Sequence, residues 1–331
     1  MNYYYFEDPS RQAHTAAATD SGAAPVLSES TLWKEYKQVG SVCLGVSAIF
    51  ILTTLVQVVL ALVAENVYPA WREDGTFLLL LSSLTMYAVA MPISLLIFRV
   101  GKSTPPAKRR LPILAFIGAL ALCYALAFVG TLIGTAAHTA FSRLMGREAL
   151  NPVEEIIRDV PFAVTLLVVG VIGPIMEEIF YRKLVIDRFR RYGDVNAALL
   201  SALLFGLIHG NFSQFFYAFF FGVVLGFLYC HTGRLRYTVA IHIIFNSFNV
   251  MLSELLTRLG ESGEQTVTLI SGSVYLLSFV LAPIAAVLLI RKLRPQPPQA
   301  VVPGKTRAFV VLLNPALWLM LAVIAVSFLL G

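Results

Sequence analysis

The chain has 331 residues, 58% of them hydrophobic and only 13% charged, with a formal net charge of +6. That composition excludes a soluble domain, because apolar runs of about 20 residues, the length that crosses a bilayer as helix, recur along it. The basic excess requires no nucleic acid as partner, since Lys and Arg collect in the cytoplasmic loops of membrane proteins.

The expected fold class is all-α, a polytopic transmembrane bundle of eight to nine helices with a cytoplasmic N-terminus. Residues 1–38 read as a disordered cytoplasmic tail, polar and mixed, with an aromatic start at Tyr3, Tyr4, Tyr5 and Phe6. No cleavable signal peptide is expected, because the first apolar run begins only near residue 39. Spans are expected at 39–64, 77–99, 111–141, 161–191, 195–209, 212–230, 236–256, 267–290 and 308–330. The membrane domain covers 39–294. Residues 295–307 form a proline-rich linker, and 308–331 an additional helix that looks like an appendage. Between spans three and four, Pro152–Asp159 is an amphipathic piece suited to the outer surface.

Loop charge sets the orientation. With the N-terminus inside, only Arg72, Arg143, Arg147, Arg158 and Arg258 of the 25 basic residues lie outside. Arg182 counts with the inside group. Cys43, Cys123 and Cys230 lie in or at the ends of apolar runs and suggest no disulfide framework. Gly130/Gly134, Gly206/Gly210 and Gly222/Gly226 are small-residue pairs that suit close helix packing. The aromatic run from Phe212 to Phe221 reads as lipid-facing or packing surface.

The fourth span carries Gly173-Pro-Ile-Met-Glu-Glu-Ile-Phe-Tyr-Arg182. An ionisable group at mid-bilayer costs a few kcal/mol, so it is a functional hypothesis by default. Glu178 and Arg182 are four apart and share a helix face, whereas Glu177 is turned about 100° away. A Glu178–Arg182 ion pair would be a structural staple; Glu177 is left over. Glu177 lies 16 residues before Gly193, and His209 lies 16 after it. In an antiparallel hairpin both then sit roughly 24 Å from the tip. His242 lies about 10 Å past the cytoplasmic entry of the seventh span and shares a face with Asn246, four residues on. Taken singly, His138 and Asn249 read as interhelical hydrogen-bonding groups. Glu177, His209, His242 and Asn246, at one depth on three helices, read as a site that opens toward the cytoplasm.

A carboxylate there can act as general base toward water, with an imidazole as proton partner and a His/Asn pair as donors to an oxyanion. No cofactor is required on that reading. The alternative is zinc, with Glu177, His209 and His242 as candidate ligands. No HExxH and no GxSxG is present.

These residues resemble the CPBP family, the membrane proteases related to CAAX-processing endopeptidases and self-immunity proteins. Its EExxxR motif stands as Glu177-Glu178-Ile-Phe-Tyr-Arg182, FxxxH as Phe205-Gly-Leu-Ile-His209, and HxxxN as His242-Ile-Ile-Phe-Asn246. The resemblance covers about residues 160–255, which it implies as the catalytic core, and it implies an intramembrane endopeptidase acting on a membrane-associated peptide or membrane protein. It implies Glu177 as base, His209 as its partner, His242 and Asn246 as oxyanion donors, and Glu178 and Arg182 as supporting members. Family members are often labelled metalloproteases, so zinc stays open. A non-catalytic immunity or scaffold protein is the rival class. A proton-relay transporter ranks last for want of an inverted repeat.

Overall fold

The computed structural model describes residues 29–67, 70, 74–97, 103–146, 159–292, 295–297 and 310–330. Among these, nine helices and no strand are present: α1 Glu29–Val67, α2 Gly75–Ile97, α3 Ile113–Leu144, α4 Phe162–Tyr192, α5 Asp194–Leu207, α6 Phe212–Thr232, α7 Leu235–Leu259, α8 Glu261–Lys292 and α9 Pro315–Leu330. All but α5 and α9 are long and apolar enough to cross a membrane. The chain is therefore an integral, multi-pass helical bundle. At 14 residues α5 is about 21 Å long, short of a hydrocarbon layer of about 30 Å.

Small residues set the closest helix approaches, because in lipid packing contacts must supply what the hydrophobic effect does not. A Cβ on Gly130 would fall 2.5 Å from the Tyr217 backbone, and one on Gly134 2.8 Å from the Phe212 carbonyl. These two glycines join α3 to α6. Gly222 and Gly226 lie the same way against Ala202 and Ala198 and join α6 to α5. The α4–α5 turn passes through Gly193 at φ 98°, a region closed to ordinary side chains.

Two expectations need correction. Residues 29–38 belong to α1 and are not a disordered tail. Their polar groups are held by the α4–α5 turn: Arg191 Nη2 meets Glu35 Oε2 at 2.8 Å, Tyr192 also bonds Glu35, and Gln38 Nε2 donates to the Arg188 carbonyl at 3.1 Å. Residues 1–28 lie outside the described residues. The last helix is not an appendage either. It packs along α1, Met320 and Ile324 join the main core, and Phe328 stacks edge-on against Phe212. Asn314 fastens its start, donating to the Tyr36 carbonyl at 2.9 Å. Of the proline-rich linker, 295–297 are described. Gln296 exchanges two hydrogen bonds with Asp194 at the start of α5, so this piece of linker is anchored. Of Pro152–Asp159, all but Asp159 lies outside the described residues.

Gly130→Ala should destabilise the bundle by about 1–3 kcal/mol through overpacking. Gly272→Ala, whose Cβ meets nothing within 4 Å, should not. Thermal unfolding of both variants in detergent checks this.

Candidate active site

The site begins with a local fault in α4. Leu166–Ile172 and Ile179–Ile186 are wound as π-helix on either side of Gly173–Glu178. The Gly173 N–H bonds back to the Val168 carbonyl, five residues away, and so is lost to Val169, its α-helical partner. The next residue, Pro174, has no N–H to offer either Val169 or Gly170. Two carbonyls are thereby orphaned inside an apolar bundle, where leaving them unpaired is costly. Helix α7 satisfies both. Asn246 Nδ2 donates to the Val169 oxygen at 3.0 Å, and Ser247 Oγ to the Gly170 oxygen at 3.3 Å.

One turn further on, the two glutamates diverge as their spacing requires. Glu178 and Arg182 are both wholly buried, and Arg182 Nε lies 3.1 Å from Glu178 Oε2, off the alignment of a hydrogen bond. The other oxygen, Glu178 Oε1, is 2.9 Å from His242 Nδ1. Arg182 also donates to Ser201 Oγ on α5 at 3.4 Å and lies over the Phe205 ring, 5.0 Å from its centroid. Arg182 is thus an interior residue and not part of the basic inside loops.

Glu177 faces a cavity of about 330 Å³, which His209, His242 and Asn246 also line. Its Oε1 accepts a hydrogen bond from Tyr87 on α2 at 3.0 Å, and its Oε2 lies 3.7 Å from His242 Nε2. His242 therefore spans both carboxylates, one at each ring nitrogen. His209 Nδ1 is 2.8 Å from the Phe205 carbonyl. With hydrogen on that nitrogen, Nε2 carries the ring's lone pair. Phe205 stands edge-on to both imidazoles, with centroids 5.2 Å from His209 and 5.6 Å from His242. It separates the two rings and holds both in orientation. Tyr217 and Phe221 of the aromatic run also line the cavity. Asn249, by contrast, only bonds back to the Phe245 carbonyl in its own helix.

The remaining wall comes from α1 and α2, including Thr53, Gln57, Ser82, Ser83 and Tyr87. Nothing in the sequence marks these residues, since Ser, Thr and Tyr are common in spanning helices and no charge or motif sets them apart. Their level is informative. Glu35 meets Arg191 at the α4–α5 tip, and Gln57 lies 22 residues further along α1, about 33 Å from that tip. Glu177, 14 residues before Arg191, is only about 21 Å from that ion pair. The cavity thus extends from Glu177 away from the basic tip and toward the end where α1 finishes and α2 begins. An opening on the side of the basic tip, as the charge count suggests, is not where these lining residues lead.

A catalytic zinc needs three protein ligands and a water. Among the described residues no three His, Cys, Asp or Glu side chains converge in that way. Anchoring of an imidazole Nδ1 on a carboxylate or carbonyl occurs behind metal-bound and metal-free histidines alike.

Arg182→Met should cost about 3–5 kcal/mol, because it strands a buried carboxylate without its partner. Glu177→Gln, at the cavity surface, should cost much less. Thermal unfolding of the two variants beside wild type measures the difference.

Comparison with known proteins gives matches over the segment that carries these residues. Residues 159–248 match the family model of type II CAAX prenyl endopeptidase Rce1-like proteins. YdiL of Bacillus subtilis, named as a membrane peptidase, is 29% identical over 136 residues, covering 40% of this chain and 55% of the relative. The membrane-embedded CAAX protease MroQ of Staphylococcus aureus is 29% identical over 126 residues, 35% of this chain and 50% of the relative. The chain spans about half the length of these curated relatives. No solved structure gives a significant match. Residues 159–248, which carry the three motifs in order, are thus similar to membrane peptidases of the Rce1-like CAAX endopeptidase type, and the family match covers that segment.

Proposed function

We propose that this chain is an intramembrane endopeptidase that hydrolyses peptide bonds of a membrane-associated substrate, lipidated or leader-like, with a water activated by Glu177. The observation that carries the reading is that Glu177, His209, His242 and Asn246, brought together by α4, the end of α5 and α7, line one cavity inside an apolar bundle. Glu177 Oε2 takes a proton from water, and the resulting hydroxide attacks the substrate carbonyl carbon. His209 Nε2 accepts a hydrogen bond from that water and orients it. The carbonyl oxygen becomes an oxyanion, held by the Nε2–H of His242, which that ring presents when it carries hydrogen on both nitrogens with Nδ1–H on Glu178, and by the second amide hydrogen of Asn246, the first being donated to Val169. The proton on Glu177 passes to the leaving nitrogen as the C–N bond breaks. Glu178 and Arg182 fix the His242 ring and do not touch the substrate. The cycle uses no metal.

The predominantly apolar walls and the position within the bundle favour a substrate that partitions into the bilayer. MroQ is named as a CAAX protease; a prenylated peptide is accordingly one probe, and a leader peptide with a spanning segment another. With the N-terminus inside a plasma membrane, the α1–α2 end of the cavity faces outward.

Purified wild type should cleave at least one of these probes, with kcat reduced at least about 10³-fold in Glu177→Ala and unchanged by a chelator. Full-rate cleavage by Glu177→Ala would sink the proposal, and loss of activity with chelator would replace the metal-free cycle. Gln57→Cys should react with a membrane-impermeant thiol reagent added outside intact cells. Labelling only after permeabilisation would reverse the access side.

A further inference from the structure

We propose that Tyr87 is a positioning residue for the Glu177 carboxylate; this deepens the peptidase reading and rests on it. Tyr87 lies on α2, outside the family-matched segment 159–248. It sits in Thr85–Ala90, which is wound as π-helix in the middle of α2. Its hydroxyl donates to Glu177 Oε1 at 3.0 Å.

The approach is made possible by Gly173. A Cβ at that position would lie 3.0 Å from the Tyr87 hydroxyl oxygen and 3.2 Å from the Val168 carbonyl. Gly173 is also the residue whose N–H closes the π-turn onto Val168. One glycine thus serves both the distortion that frees the Val169 carbonyl for Asn246 and the space through which Tyr87 reaches the base.

The consequence is an unequal pair of carboxylate oxygens. Oε1 is occupied by Tyr87, while Oε2 is left facing the cavity, 3.7 Å from His242 Nε2. A glutamate has three rotatable bonds, and without Tyr87 its carboxylate can turn to present either oxygen at variable height. Misplacement of a reacting group by about 1 Å costs about 10²-fold in rate. Tyr87 therefore selects Oε2 as the basic oxygen and holds it at the level of His209 and His242. It acts through Glu177 and takes no proton itself.

The test compares Tyr87→Phe, Gly173→Ala and Glu177→Gln in the full chain reconstituted in lipid nanodiscs. The infrared difference between wild type and Glu177→Gln isolates the Glu177 carboxyl band. In Tyr87→Phe that band should shift, because a hydrogen bond to one oxygen is gone. With the prenylated or leader-peptide probe, kcat should fall about 10- to 100-fold with KM within about twofold. The Tyr87→Phe/Glu177→Gln double variant should be no slower than Glu177→Gln. Gly173→Ala keeps the hydroxyl but crowds it, and should lower kcat in the same way, which covers the case of a poorly folding Tyr87→Phe. An unmoved carboxyl band, an unchanged kcat, or a loss confined to KM overturns the proposal. A band that shifts in Tyr87→Phe, beside a wild-type protein that cleaves neither probe, removes the peptidase reading while leaving the Tyr87–Glu177 bond intact.

Discussion

The interaction on which this structure depends is the wholly buried contact of Glu178 with Arg182 and His242. Charge taken out of water is tolerated only where partners replace the solvent. Here the partners come from α4 itself and from α7, with Arg182 reaching further to Ser201 and the Phe205 ring on α5. Three helices are thus tied at one level. The His242 ring has a single allowed orientation once its Nδ1 is bound, and that orientation sends Nε2 toward Glu177. The supporting carboxylate and the cavity-facing carboxylate are adjacent in sequence yet differ in environment, because one residue of helix turns a side chain by about 100°.

Around this tie the backbone of α4 is bent out of regular α-helix. The fault has identifiable causes: a proline without an N–H, a glycine on either side of the resulting gap, and a bond from Gly173 that skips to Val168. A regular helix would have kept the Val169 and Gly170 carbonyls to itself. Broken, it offers them to Asn246 and Ser247, and α7 is thereby locked in register with α4. In lipid such a gap persists only when a neighbouring helix fills it. The unwound turn and the polar face of α7 therefore require each other. Asn246 has two amide hydrogens, so a structural bond to Val169 and a donor directed into the cavity are compatible in one side chain.

Much of this was legible beforehand. Nine helices, the short α5, the Glu178–Arg182 pairing and the common level of Glu177, His209, His242 and Asn246 follow from hydropathy, from the 3.6-residue period and from equal counts about Gly193. These are local or arithmetical properties. Residues 29–38 read as tail in one dimension because Glu35 and Gln38 look like solvated residues. Only contact with Arg191 and the Arg188 carbonyl makes them part of a helix end. The last helix looked detached because the proline-rich stretch before it says nothing about where the chain returns. Asn314 on the Tyr36 carbonyl and Phe328 on Phe212 decide that.

By itself, then, the sequence determined that the chain is a membrane bundle and which polar residues lie within it, because burying charge in lipid is costly enough to mark its positions. The tertiary structure alone decided what each of those residues touches. The sequence spacing pairs Glu177 with His209, but the contacts made by its carboxylate are to Tyr87 and His242. Tyr87 carries no charge and belongs to no motif, so one-dimensional patterning cannot distinguish it from any other aromatic residue of a spanning helix. Its place beside Glu177 exists only through the packing of α2 against the glycine of α4, a contact between residues about 90 positions apart. Hydropathy records how much a side chain costs to bury; it does not record the direction in which a neighbouring helix will supply its partner.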